Sequence, residues 1–126
     1  MKSPIIQALL LFIFIALASG LTNSEPSSVD FGGDYQIINN SISPLLIGDS
    51  VAISIRYSAC SDDQTFELHS RTVQDDQAQI WIFWNASQPN CDRQHRKELA
   101  FTLPKNILAS NSIVLLTPDN KEIKIR

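Results

Sequence analysis

The sequence predicts an all-β domain, a small antiparallel β-sandwich of about seven short strands. Three observations carry this. From Asp34 onward the apolar residues recur with a period of two, most clearly where Val51, Ile53, Ile55 and Tyr57 alternate with Ala52, Ser54, Arg56 and Ser58. Turn-forming residues break these runs at short intervals: Pro44, Gly48-Asp49, Pro89, Pro104 and Pro118-Asp119-Asn120. No apolar pattern of period 3.6 runs beyond about ten residues, which argues against an α/β domain.

The elements follow in order. Tyr35, Ile37 and Asn39 alternate with Gln36, Ile38 and Asn40 and give a first, weak strand. Val51 to Ser58 is the clearest one, and Thr65 to Ser70 sets Phe66 and Leu68 against Glu67 and His69. Ala78 to Trp84 is apolar on both faces. Ala78, Ile80, Ile82 and Trp84 share the face expected to be buried, and Trp81 and Phe83 share the other, at an interface or under a loop. Leu99, Phe101 and Leu103 form another strand that stops at Pro104. A helical turn over 105–110 carries Ile107 and Leu108 inward. Ile113 to Thr117 and Glu122 to Arg126 flank a four-residue hairpin loop. Seven strands in about 95 residues call for two packed sheets. In strand count and turns this is similar to small immunoglobulin-like sandwiches, without a family motif. Trp81 and Trp84 lie between Cys60 and Cys91, but those cysteines are too close in sequence for the bridge of antibody domains.

The 126 residues divide into an expected signal peptide over 1–20, a flexible segment over 21–33 and one domain over 34–126. Lys2 precedes an apolar run from Ile5 to Ala18, and small residues fit cleavage after Ala18 or after Gly20. The chain is therefore expected to be exported, to the periplasm, the cell surface or the extracellular space, with no stable membrane insertion after cleavage. Cys60 and Cys91 are the only cysteines, and in an exported chain they form one disulfide. Both fall beyond strand ends, so the bridge is expected at the rim. A closed loop of about 32 residues corresponds to about 3.5 to 4 kcal/mol at most. Zinc, with His69 and His95 as the other ligands, lacks the tight ligand spacing such sites show.

Thirteen acidic against ten basic side chains give a net charge of -3, and cleavage of the leader moves it to -4 by removing Lys2. Such a chain has no electrostatic reason to bind nucleic acid. Arg93, Arg96 and Lys97 form a short basic patch, and with Trp81 and Phe83 they make up the expected binding surface. His95 sits among them in a stretch, Asp92 to Glu98, that reads as a solvated charged loop. Asp62-Asp63 and Asp75-Asp76 are acidic pairs that would hold calcium only if their loops converged, so no metal or cofactor is assigned. A serine hydrolase would need a base beside a nucleophile, and no strand-turn-helix nucleophile elbow is present. Asn39-Asn40-Ser41 and Asn85-Ala86-Ser87 match the glycosylation pattern.

The expected function is non-catalytic: an exported β domain that binds a protein or small ligand through loops over 61–64, 74–77 and 85–98. The alternatives are a secreted inhibitor or neutralising factor whose 85–98 loop blocks a cleft, and a small hydrolase or metal-dependent enzyme built around His69 or His95.

Overall fold

Val51, Ile53, Ile55 and Tyr57 become the inward face of a nine-residue strand, β3 (Ser50–Ser58), and all four are almost fully buried. The computed structural model describes residues 29–74, 76–86 and 91–126. The leader over 1–20, residues 21–28 of the expected flexible segment, Asp75, Ser87 and Pro89 lie outside the described residues. Around β3 stand β1 (Tyr35–Ile38), β2 (Leu45–Ile47) and β6 (Gln94–Thr102). β1 and β2 follow one another along one edge of β3, and β6 pairs with the other edge over its whole length. All three pairings are antiparallel.

The second sheet has the order β4 (Phe66–Val73), β5 (Gln77–Trp84), β7 (Ser112–Leu116), β8 (Glu122–Lys124). Ala78, Ile80, Ile82 and Trp84 of β5 face inward, as their alternation predicts, and meet the inward residues of β3. Ile113 and Leu115 of β7 complete this layer, and α1 (Lys105–Leu108) plugs one end with the fully buried Ile107. Each such aliphatic side chain contributes about 1.5–3 kcal/mol when taken out of water. The two-layer, almost helix-free architecture is thus the one the sequence predicts, with eight strands among the described residues. One pair, β5 with β7, is parallel. A chain that leaves β5 for β6 in the other sheet must cross back before it can pair again, so β7 arrives in the same direction as β5.

Residues 31–33 lie against the second sheet. Gly33 N–H donates to the Trp84 carbonyl at 3.0 Å and Trp84 N–H donates to the Phe31 carbonyl at 3.0 Å. The chain then crosses to the first sheet as β1. Residues 31–33 of the segment read as flexible are therefore paired. Gly32 adopts φ +72°, and a Cβ there would lie 2.0 Å from the Trp84 carbonyl oxygen. Gly32→Ala is expected to detach this segment. The cost is limited to its two hydrogen bonds and the packing of Phe31, roughly 2 kcal/mol, read as a lower urea midpoint; an unchanged midpoint would refute the pairing. Tyr35, next along, sends its hydroxyl across the core to the Ile82 carbonyl at 2.5 Å. Burial pushes its pKa upward, partly offset by that hydrogen bond, so the folded state holds the neutral phenol.

Two strands differ from the sequence reading. β2 is absent from it because three residues between Pro44 and Gly48 are too few to show a period. Gly48, at φ +61°, takes the first central position of the two-residue turn that folds β2 onto β3. Asp92 to Glu98, read as a charged loop, is instead the run into β6, which starts at Gln94. A strand at a sheet edge tolerates such charges because one face is solvated and its long side chains reach water past the core. Where β1 gives way to β2, the hydroxyl of buried Ser43 accepts from Ser54 N–H at 2.9 Å and replaces the missing ladder partner.

Candidate functional site

The outward face of the second sheet carries Trp81 and Phe83. Cross-strand register places His69 opposite Trp81 and Glu67 opposite Phe83. His69 stacks on Phe83 with ring centroids 5.3 Å apart and lies tilted against Trp81 at 5.8 Å. The Arg71 guanidinium sits 5.4 Å above the Trp81 ring, and its Nε donates to Gln79 Oε1 at 2.7 Å. These side chains form a ladder in the order Arg71, Trp81, His69, Phe83. His69 and Phe83 stack on one another and Arg71 covers a face of Trp81, which leaves less flat surface on which a ligand ring would stack. Among the described residues the buried Trp81 Nε1 has no hydrogen-bond partner.

The basic residues of the expected binding surface separate. Arg93 is exposed in the loop before β6, where its carbonyl accepts from Ala59 N–H. Arg96 is exposed on the outer face of the first sheet, on the opposite side of the molecule from Trp81 and Phe83. Lys97 points inward, with Nζ 5.7 Å from the Phe66 ring centroid and donating to the Gln64 carbonyl at 3.3 Å. Alternation along an extended strand forces this, since neighbouring residues point to opposite faces. Trp81, Phe83, Arg93, Arg96 and Lys97 thus do not make one surface.

Register brings other residues together on the outer face of the first sheet. Ser58 stands opposite Gln94, Arg56 opposite Arg96, Ser54 opposite Glu98, and Ala52 opposite Ala100. On the other side of β3, Gln36 flanks Arg56, Ile38 flanks Ser54, Leu45 flanks Ala52 and Ile47 flanks Ser50. Ile38, Leu45 and Ile47 therefore border a floor of small side chains. Leu45 is 42% exposed, Ile47 62%, and Ile42 in the preceding turn 66%. Sequence reading missed Arg56, Leu45 and Ile47 as site residues. The signal was the run Leu45-Leu46-Ile47 ahead of Gly48-Asp49, which places Leu45 and Ile47 on the polar face of β3 once a two-residue turn is assumed.

The alternative chemistries find less support in the geometry. His95 faces inward, stacked on Tyr57 at 5.3 Å, with Nε2 donating to the Ala59 carbonyl at 3.2 Å. His69 Nε2 lies 3.4 Å from Glu67 Oε2 on an open face. Among the described residues neither histidine hydrogen-bonds a serine hydroxyl or an aspartate. Asp62 and Asp63 lie before β4 and Asp76 beyond its far end, so the eight-residue strand holds these acids apart. Among the described residues no group of three or more His, Cys, Asp or Glu side chains could share a metal ion.

Cys60 and Cys91 are joined, with Cα atoms 4.9 Å apart, just past the last paired residues of β3 and β6. The bridge is a rim staple between neighbouring strands, as expected from the cysteines' positions. Beneath this rim Tyr57, Phe66 and Trp84 pack edge-on or stacked at 5.1–5.8 Å. Burial, and then the negative charge of Asp62, raise the Tyr57 pKa. No family model, characterised protein or solved structure matches this chain.

Proposed function

We propose that this is an exported, non-catalytic domain that binds a partner protein through the outer face of its first sheet. The observation that carries the reading is the exposed aliphatic pair Leu45 and Ile47 beside a floor of serine and alanine, with Ile42 exposed in the preceding turn. Large aliphatic side chains grouped on one sheet face favour a contact that removes them from water. The disulfide and the leader-like N-terminus support the export part of the reading.

The test is affinity capture from the exported fraction with the domain as bait. The double variant Leu45→Asp, Ile47→Asp is expected to weaken retention of the partner about 100-fold, since each aliphatic side chain contributes about 1.5–3 kcal/mol when fully buried. Both residues sit on an exposed edge, so the variant is expected to melt within a few degrees of wild type. Trp81→Ala, on the opposite face, is expected to retain the partner. Retention by the aspartate variant equal to wild type would refute the assignment.

A further inference from the structure

The first sheet's outer face carries a second feature at the other end of its small-residue floor. Arg56 and Arg96 stand directly opposite each other in the β3–β6 register, both exposed. Like charges placed directly across a ladder are destabilising. Glu98 is two residues along β6 and Asp34 lines the adjoining cleft, yet among the described residues neither guanidinium is within ion-pair distance of a carboxylate. That cleft, about 160 Å³, lies beside Arg56 and is also lined by Gln36, Ser58 and Gln94, and Gln94 is held by a 2.8 Å hydrogen bond to Ser58. Scattered solvated cations need no explanation, but Arg56 is on a central strand, where it gives no protection to a sheet edge.

We infer that Arg56 and Arg96 form a two-guanidinium seat for a carboxylate side chain of the partner protein. This rests on the reading of the same face as the contact surface. Planar guanidinium groups bind a carboxylate through paired hydrogen bonds, and a ligand charge between the two removes their mutual repulsion. Leu45 and Ile47 stand level with Ala52 and Ser50, four and six residues from Arg56 along β3, roughly 13 and 20 Å. The partner fitted to this face therefore presents apolar side chains at one end and an Asp or Glu at the other. The composite favours a protein over a lipid surface: two cations on a net negative chain attract an anionic bilayer weakly.

The test selects a displayed random peptide library against the wild-type domain. Selected peptides are expected to combine apolar residues with Asp or Glu. They are expected to bind Arg56→Gln, Arg96→Gln about tenfold or more weakly than wild type, with partial recovery in Arg56→Lys, Arg96→Lys. The glutamine variant is expected to melt no lower than wild type, because it removes a like-charge pair; a purely structural arginine pair would lower it. Binding lost with Leu45→Asp, Ile47→Asp but unchanged in the glutamine variant overturns the carboxylate seat and leaves the contact face standing. Binding unchanged in both variants overturns both. Sedimentation of the wild type, but not the glutamine variant, with vesicles of equal phosphatidylglycerol and phosphatidylcholine assigns the seat to lipid phosphate and overturns the proposal. Concentration-dependent dimers abolished by the glutamine variant assign the face to a second copy and overturn it too.

Discussion

Replacing Trp84 with alanine is expected to destabilise the domain by about 3–5 kcal/mol, measured as the loss in urea unfolding free energy. Trp84 is 5% exposed and packs against Tyr57 and Phe66. Its Nε1 donates to Gln64 Oε1 at 3.0 Å, and Gln64 in turn donates to the Ser61 carbonyl at 3.3 Å. Truncation therefore removes a large buried ring and with it the indole N–H that donates to Gln64. The backbone of the same residue holds residues 31–33, so the N-terminal pairing is expected to loosen with it. Trp84→Phe keeps most of the ring volume and loses only the indole N–H, so it should cost less than half as much. Equal losses in the two variants would show that the Gln64 hydrogen bond, rather than ring packing, dominates this end of the core.

Removing the disulfide, by Cys60→Ser with Cys91→Ser, is expected to cost about 3–4 kcal/mol and to lower the thermal midpoint by roughly 10 °C or more. The bridge lies beyond the last β3–β6 pair, with Ala59 N–H to the Arg93 carbonyl between it and the ladder. The folded core loses no packing. The effect comes mainly from the unfolded chain, which regains the freedom of a loop of about 32 residues. The double-serine variant should therefore keep the wild-type circular dichroism at low temperature, with faster amide exchange confined to the ends of β3 and β6. A midpoint within two degrees or so of wild type would mean that the unfolded chain is already constrained near this loop.

The two layers were legible because burial on one side of a strand writes itself into every second residue. Val51 to Tyr57 and Ala78 to Trp84 state their inward faces without any knowledge of neighbours, and the inward placing of Trp84 follows from parity with Ile80 and Ile82. β6 was less legible. At the rim its inward positions are His95 and Lys97, which set a ring face on Tyr57 and an ammonium over Phe66 while their polar ends reach backbone carbonyls. Amphipathic side chains of this kind hide a strand behind the composition of a loop.

The candidate surface was legible only in part. Trp81 and Phe83 were recognisable as residues on the face away from the core, yet grouping them with the arginines required knowing which sheet each strand joins. Arg93, Arg96 and Lys97 are neighbours in the chain and point in different directions in the fold. Arg56 and Arg96, forty positions apart, are neighbours in the fold.

By itself the sequence determined which residues of β3 and β5 turn inward, where most of the turns fall and which two sulfurs could meet, because these depend on local alternation and on single residues. Only the tertiary structure decided that Arg56 faces Arg96, that Ile38 borders the same floor as Leu45 and Ile47, and that β5 runs parallel to β7. Those follow from register and sheet order, which arise from contacts between segments distant in the chain and leave no periodic trace in either segment alone.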